Sequence, residues 1–141
     1  MIEFKQKKEP KVIAVDFDAT VVKEAWPFKG DDVPGAEETI KKLQASGHHI
    51  ILLTQREHIK HGECEDVLEI ALEWFREKGI KLFAVNENPN QSLFYYVSRK
   101  VYADVYVDDH SAMIPTIKGD GTPYVDWRIL DKWFESEGYY D

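Results

Sequence analysis

Residues 12–20 read VIAVDFDAT, a stretch in which an apolar run ends in two aspartates separated by one phenylalanine. The run at 11–15 is short and rich in β-branched residues, which predicts a buried strand. Along an extended chain, residues i and i+2 point to the same side. Asp16 and Asp18 are therefore expected to face one crevice, while Phe17 turns toward the core.

The rest of the chain alternates predicted helices with predicted strands. Further strands are predicted at 48–53, 80–85 and 103–107, and helices at 35–46, 63–78, 91–99 and 126–137, the last one capped by Asp126. This alternation predicts an α/β protein, a Rossmann-like three-layer sandwich with a mainly parallel sheet and helices on both faces. Residues 21–34 are rich in proline and glycine and leave room for a small flap. Without linkers or repeats, residues 1–141 are expected to form a single domain.

Composition narrows the range of partners. The 141 residues are 43% hydrophobic and carry a formal net charge of −8. A surface with this net negative charge repels nucleic acid and anionic membranes, so neither is expected as a partner. The amino terminus lacks the apolar stretch of a signal peptide, no apolar run reaches the ~20 residues that cross a bilayer, and Cys64 is the single cysteine. These features predict a cytoplasmic protein.

Polar side chains follow three of the four predicted strands. Asp16 and Asp18 follow the first strand, Thr54 the second, and Asp108 and Asp109 the fourth. The carboxyl ends of parallel strands meet at one edge of a sheet, where open α/β proteins bind ligands. Up to four carboxylates would meet there, an arrangement that is unfavourable without a neutralising cation. Mg²⁺ suits such a site because it binds through a few carboxylates together with water and phosphate.

These motifs together resemble those of the haloacid dehalogenase superfamily of phosphohydrolases. The resemblance covers about residues 11–109 and rests on Asp16-Phe17-Asp18-Ala19-Thr20, Thr54, Lys100 and Asp108-Asp109. It implies that Asp16 is the nucleophile that becomes an aspartyl-phosphate. It implies that Asp18 protonates the leaving group and then activates water. Thr54 would hydrogen-bond the phosphoryl group, and Lys100 would offset negative charge on Asp16 and on the phosphoryl oxygens.

The resemblance also implies a metal site and an open architecture. Asp108 would hold Mg²⁺ together with Asp16 and the backbone carbonyl of Asp18, and Asp109 would be a further ligand or would orient the others. The family often has glycine where Ala19 stands, and alanine is expected to tolerate a helical turn there. No segment is long enough for a large cap domain, so either the site is open or another subunit of a homo-oligomer covers it.

Several residues keep two interpretations. Arg99 and Lys81 compete with Lys100 for the role of the cation. Thr20 and Arg56 are candidate substrate contacts, with a surface arginine as the alternative for Arg56. The other residues with two interpretations are Trp26 and Phe28 (covering the site or packing on the domain), Asn86 and Asn88 (substrate contact or turn residues), and His58, His61 and Cys64 (zinc site or polar loop).

The predicted function is a Mg²⁺-dependent phosphatase that acts on a phosphomonoester such as a sugar phosphate or a nucleotide. The alternative is a phosphate-binding or phospho-accepting regulatory module without turnover. In receiver domains, however, an acidic pair follows the first strand and the acceptor aspartate follows the third. Here Asp16 and Asp18, separated by one residue, come first, and the adjacent pair Asp108-Asp109 comes last. A two-metal nuclease is disfavoured by the charge of −8 and the lack of a basic stripe.

Overall fold

The computed structural model describes residues 9–93 and 98–141. Its centre is a parallel sheet of four strands, β1 (Val12–Val15), β2 (His49–Leu52), β3 (Ala84–Val85) and β4 (Val105–Val107), in the order β3-β2-β1-β4. Val15 at the end of β1 pairs with Leu52 on one side and with Val107 on the other. The carboxyl ends of β1, β2 and β4 therefore lie side by side, as the sequence predicts.

Three helices cover one face of this sheet. These are α1 (Ala36–Ala45), α2 (Val67–Glu77) and α3 (Trp127–Ser136), and all three contribute to the cluster that contains Ile13, Val15, Ile50 and Leu52. The helical pattern of apolar residues predicts this packing, because it places Ala36, Ile40 and Leu43 on one side of α1, where they are fully buried.

The opposite face of the sheet carries a smaller cluster, in which Val12, Ala14 and Ile51 pack with Ala103. Ala103, from the described part of the connection between β3 and β4, thus packs on this side, as a right-handed crossover requires. That connection includes a short 3-10 helix at Pro89–Leu93. The fold is thus α/β and Rossmann-like, with a parallel sheet flanked by helices, and residues 9–93 and 98–141 contain no large cap domain.

Several predicted boundaries are wrong. The second helix begins at Val67, four residues after the predicted start, because the Asp66 side chain caps it by accepting a hydrogen bond from the Glu69 amide. The third strand is only Ala84–Val85, and the helix predicted at 91–99 is a 3-10 turn beginning at Pro89. Residues 94–97 of that prediction lie outside the described residues. An antiparallel hairpin of β5 (Thr116–Ile117) and β6 (Tyr124–Val125) was not predicted.

Residues 21–34, the segment called the flap, form a loop with two arms. Its two arms are held by hydrogen bonds from the Lys23 amide to the Asp31 carbonyl and from the Val33 amide to the Val21 carbonyl. At the base of the flap, the Trp74 indole of α2 donates to the Asp32 carboxylate at 2.8 Å. None of the helices in the described ranges has the length and apolarity needed to cross a membrane.

Replacing Gly30 with alanine is expected to destabilise the flap. A Cβ at this position would lie 2.5 Å from the Lys23 carbonyl oxygen, which accepts the Gly30 amide, so the two arms would have to separate. We expect a loss of about 1–3 kcal/mol in the free energy of unfolding, measured by urea denaturation. Gly121→Ala is the matched control, since nothing lies within 4 Å of its added Cβ. Equal stability of the two variants would contradict the prediction.

Candidate functional site

Asp16 stands where β1 ends and the chain turns. Its amide donates to the Val107 carbonyl at 3.0 Å, which ties the end of β1 to the end of β4. The amides of Thr20 and Val21 then both donate to the Phe17 carbonyl, at 3.2 and 3.0 Å. Phe17 is fully buried, which confirms that it turns into the core. The expected alternation ends here, because the chain after Phe17 is a tight turn and not an extended strand.

Ala19 lies within this turn at φ 58°, in the left-handed region. The expectation that alanine fits an ordinary helical turn at this position is therefore wrong, since a Cβ in the left-handed region costs roughly 1–2 kcal/mol. Ala19 is nevertheless buried, and its carbonyl accepts the Val125 amide of β6 at 3.0 Å. The unpredicted hairpin thus helps to hold the turn that carries the aspartates.

Three carboxylates converge at the edge of the sheet. Side-chain oxygens of Asp16, Asp108 and Asp109 all lie within 4.8 Å of one another. Burial, together with the neighbouring Asp108 and Asp109, raises the pKa of Asp16 to about 8. Burial also raises the pKa of Asp109. Such a group is unfavourable when fully ionised, and a divalent cation with oxygen ligands would relieve the repulsion.

The donor set of these three aspartates fits Mg²⁺. Hard divalent cations prefer carboxylate oxygens, and all three side chains are only partly buried, which leaves room for water and a phosphate oxygen. Asp108 is oriented through the His110 amide, which donates to its Oδ1 at 2.8 Å. The predicted ligands Asp16, Asp108 and Asp109 are thus brought together. The Asp18 side chain does not belong to this group, and a contribution from its backbone carbonyl stays a prediction.

Asp18 forms an ion pair with Arg56. The Arg56 Nε donates to Asp18 Oδ2 at 2.8 Å, and Nη2 donates to Oδ1 at 2.7 Å. Asp16 and Asp18 both line one cavity of about 630 Å³, so the prediction that they face a common crevice is confirmed. The four predicted carboxylates nevertheless separate into a group of three and one that is paired with an arginine.

Thr20 and Arg56, the two candidate substrate contacts, are both buried. Thr20 has no exposed surface, and its hydroxyl donates to Asp16 Oδ2 at 3.4 Å. Arg56 is 1% exposed, so the alternative of a surface arginine is wrong. The structure gives Thr20 the role of orienting Asp16 and gives Arg56 that of holding Asp18.

Thr54 lies two residues after the end of β2 and is positioned by Asn86. The Thr54 amide donates to Asn86 Oδ1 at 2.8 Å, while its hydroxyl accepts the Arg56 amide at 3.1 Å. Asn86 has φ 54°, and its amide donates to the Leu52 carbonyl at 2.8 Å. Of its two interpretations, the geometry supports the turn residue. Asn88 is likewise structural, because it donates to the Tyr102 carbonyl.

Lys100 is exposed in the connection that precedes β4. Its Nζ lies 5.6 Å from the centroid of the Tyr106 ring, and it lines a second cavity of about 340 Å³ that Asp16 also lines. Lys81 precedes β3 and so lies at the opposite edge of the sheet. Arg99 lines neither of these two cavities. The geometry thus favours Lys100 among the three candidate cations.

The rim of the larger cavity includes residues for which no site role was predicted. Glu24 in the flap, Gln55 after β2 and Thr122 in the β5–β6 hairpin all line it. Trp26 from the flap also lines it and is 43% exposed, which supports the interpretation that it covers the site. Glu24 and Thr122 lie in loops without a periodic pattern, so only the folded structure brings them to the cavity.

The segment with His58, His61 and Cys64 does not form the three-ligand zinc group considered from the sequence. The backbones of His61 and Cys64 exchange two hydrogen bonds, and the Cys64 side chain is buried. The His58 Nδ1 instead lies 2.8 Å from Asp66, the residue that caps α2. The alternative interpretation of a polar loop before a helix is the one that fits.

Comparison with solved structures finds a conserved protein from Bacteroides thetaiotaomicron that resembles this chain over nearly its full length. The two share 33% sequence identity with a TM-score of 0.67, and the match covers 92% of this chain and 93% of the other. The chain belongs to the same family as this protein. The description of the relative gives a conserved protein and names no activity. No family model and no curated protein matches the chain.

Proposed function

We propose that this protein is a Mg²⁺-dependent phosphohydrolase of the haloacid dehalogenase superfamily. The observation that carries the proposal is the group formed by Asp16, Asp108 and Asp109, which opens onto the cavity that Asp18 and Thr54 also line. Lys100 and Asp16 both border the neighbouring cavity, which supports Lys100 as the cation of the proposed site. One acidic nucleophile, a second carboxylate and a site for a divalent cation are the parts that phosphoryl transfer needs.

In the proposed reaction, a carboxylate oxygen of Asp16 attacks the phosphorus of a phosphomonoester. The bond from phosphorus to the leaving oxygen breaks, and that oxygen takes a proton from Asp18, which leaves an aspartyl-phosphate. Asp18 then accepts a proton from water, and the resulting hydroxide releases inorganic phosphate and regenerates Asp16. Bound Mg²⁺ would offset negative charge on the phosphoryl oxygens, held by Asp16, Asp108 and Asp109.

The cavity supports a small phosphorylated substrate. Its volume of about 630 Å³ is that of a small-molecule site, and its rim offers Glu24, Gln55 and Thr122 for hydrogen bonds to hydroxyl groups. We propose a sugar phosphate or a nucleotide on these grounds. We also propose a cytoplasmic location, with which the single free cysteine is consistent.

A phospho-accepting module without turnover is the second candidate. It is favoured by one observation, that both carboxylate oxygens of Asp18 accept hydrogen bonds from Arg56. If Asp18 served only to hold Arg56 and took no part in proton transfer, Asp16 would be phosphorylated but no group would activate water, and the aspartyl-phosphate would hydrolyse slowly. The two candidates therefore differ in the lifetime of the phosphorylated protein.

The proposal is tested by phosphate release from a generic aryl phosphate, with Mg²⁺ and with chelator. We expect release that requires Mg²⁺ and an Asp108→Asn variant that needs at least about tenfold more Mg²⁺ for half-maximal rate. Asp120→Asn is the control, an exposed aspartate that lines neither cavity. A stable phosphoprotein without release would favour the second candidate. Release that is unaffected by chelator would contradict the proposal.

A further inference from the structure

Arg56 is the most heavily bonded side chain near the site. Besides its two bonds to Asp18, its Nη1 donates to the carbonyls of Pro27 and Val67, each at 2.8 Å, and its Nη2 donates to the Phe28 carbonyl at 2.7 Å. A guanidinium has five N–H groups. All five are thus used within the protein, so this arginine offers no donor to a substrate in the conformation observed.

The acceptors of Arg56 belong to three separate parts of the chain. Pro27 and Phe28 are in the flap, Val67 opens α2, and Asp18 is in the turn after β1. The guanidinium also lies between two aromatic rings, 5.0 Å from the centroid of Phe17 and 5.0 Å from that of Trp26. Flap, helix and candidate acid/base are therefore joined through one planar group.

We infer that Arg56 is a positioning residue that fastens the flap to Asp18, so that flap closure and the orientation of Asp18 change together. This inference rests on the proposed function in assigning Asp18 a part in turnover. The flap carbonyls accept from the same guanidinium that holds Asp18, so the flap cannot lift without removing hydrogen bonds that fix the guanidinium and, through it, this carboxylate. Arg56 acts through Asp18 and not on the substrate.

Lysine cannot replace this arginine. A lysine ammonium has three donors around one point, whereas a guanidinium has five donors in a plane. An Arg56→Lys variant keeps the charge opposite Asp18 but cannot reach both of its oxygens and three carbonyls at once. The variant therefore tests the effect of the planar donor geometry while the positive charge stays in place.

The first experiment is limited proteolysis, which needs no enzymatic activity. Lys29 lies exposed in the flap, and trypsin cleavage after it, identified by mass spectrometry, reports how often the flap opens. We expect Arg56→Lys and Asp18→Asn to be cleaved there at least about tenfold faster than wild type, while circular dichroism stays native. Arg128→Lys is the matched control, since the Arg128 side chain is 78% exposed on α3. Cleavage of the folded variants at the wild-type rate would overturn the inference. If Arg56→Lys does not fold, the cleavage rate of Asp18→Asn alone tests the inference.

The second experiment measures turnover of the same aryl phosphate with Mg²⁺. We expect Arg56→Lys to lower kcat about tenfold or more and to change KM less than about twofold, because Arg56 does not touch substrate. In an Asp18→Asn background, Arg56→Lys should cause no further loss in kcat. A raised KM with unchanged kcat, or equal losses in both backgrounds, would overturn the inference. If wild type releases no phosphate, the proposed function fails, and proteolysis still decides whether Arg56 fastens the flap to Asp18.

Discussion

Asp16→Asn is expected to abolish phosphate release and, in the same preparation, to stabilise the metal-free protein. An amide cannot serve as the nucleophile, so kcat should fall at least about a thousandfold. The stability gain follows from the strain among Asp16, Asp108 and Asp109, whose oxygens lie within 4.8 Å of one another. Replacing Asp16, the carboxylate with the largest rise in pKa, by a neutral isostere removes its repulsion with the other two.

The gain in stability should depend on pH. Burial, helped by Asp108 and Asp109, raises the pKa of Asp16 from 3.8 to about 8 in the folded protein. Between these values the unfolded chain loses the Asp16 proton while the folded protein keeps it, so wild type loses stability as the pH rises. Below pH 3.8 both states are protonated and this contribution is fully present; above pH 8 it is lost.

Urea unfolding in chelator from pH 5 to pH 9 measures this effect. We expect the free energy of unfolding of Asp16→Asn to exceed that of wild type by on the order of 2 kcal/mol near pH 9 and by less near pH 5. Saturating Mg²⁺ should reverse the order, because the cation stabilises only the chain that keeps all three carboxylates. Asp120→Asn removes the same charge from an exposed position and should show neither change. A less stable Asp16→Asn at high pH in chelator would contradict the account.

The parallel strands and the residues that follow them could be predicted from the sequence because both depend on short-range pattern. The apolar run before Asp16 specifies β1, and Asp126 caps α3 through the Arg128 amide as predicted. Strand direction alone then places Asp16 beside Asp108. These inferences use only local propensity and a rule of topology.

The pairing of Asp18 with Arg56 was beyond such reasoning. The two residues are 38 positions apart, and the pairing depends on where the flap carbonyls lie. The alternation rule assumed an extended chain after Asp16, whereas the amide of Thr20 bonds to the Phe17 carbonyl and turns the chain. The burial of Trp74 likewise involves a partner distant in sequence, since its indole donates a hydrogen bond to Asp32 of the flap.

Trp127→Ala is expected to be among the most destabilising substitutions in the protein, with a loss of about 4 kcal/mol in the free energy of unfolding. Trp127 is the first residue of α3 and is fully buried. It packs closely against Gly35 at the start of α1, since a Cβ added to Gly35 would lie 3.2 Å from the Trp127 Cβ. Its removal would leave a large cavity between α3 and the start of α1. Trp133 lies on the same helix, is 41% exposed, and as Trp133→Ala should cost only about 1 kcal/mol.

Trp127→Phe separates volume from hydrogen bonding. The Trp127 indole donates to the Thr20 carbonyl at 2.6 Å, and the Thr20 hydroxyl in turn donates to Asp16. Phenylalanine retains most of the apolar surface but leaves a buried carbonyl without its donor, which costs roughly 1–3 kcal/mol. Urea denaturation should show the largest loss in the free energy of unfolding for Trp127→Ala and a smaller loss for Trp127→Phe. The loss for Trp133→Ala should be no larger than that for Trp127→Phe. If Trp127→Phe is as stable as wild type, the indole hydrogen bond does not support the turn that carries Asp16, and the position of that aspartate must depend instead on the Val107 and Val125 contacts on either side of the turn.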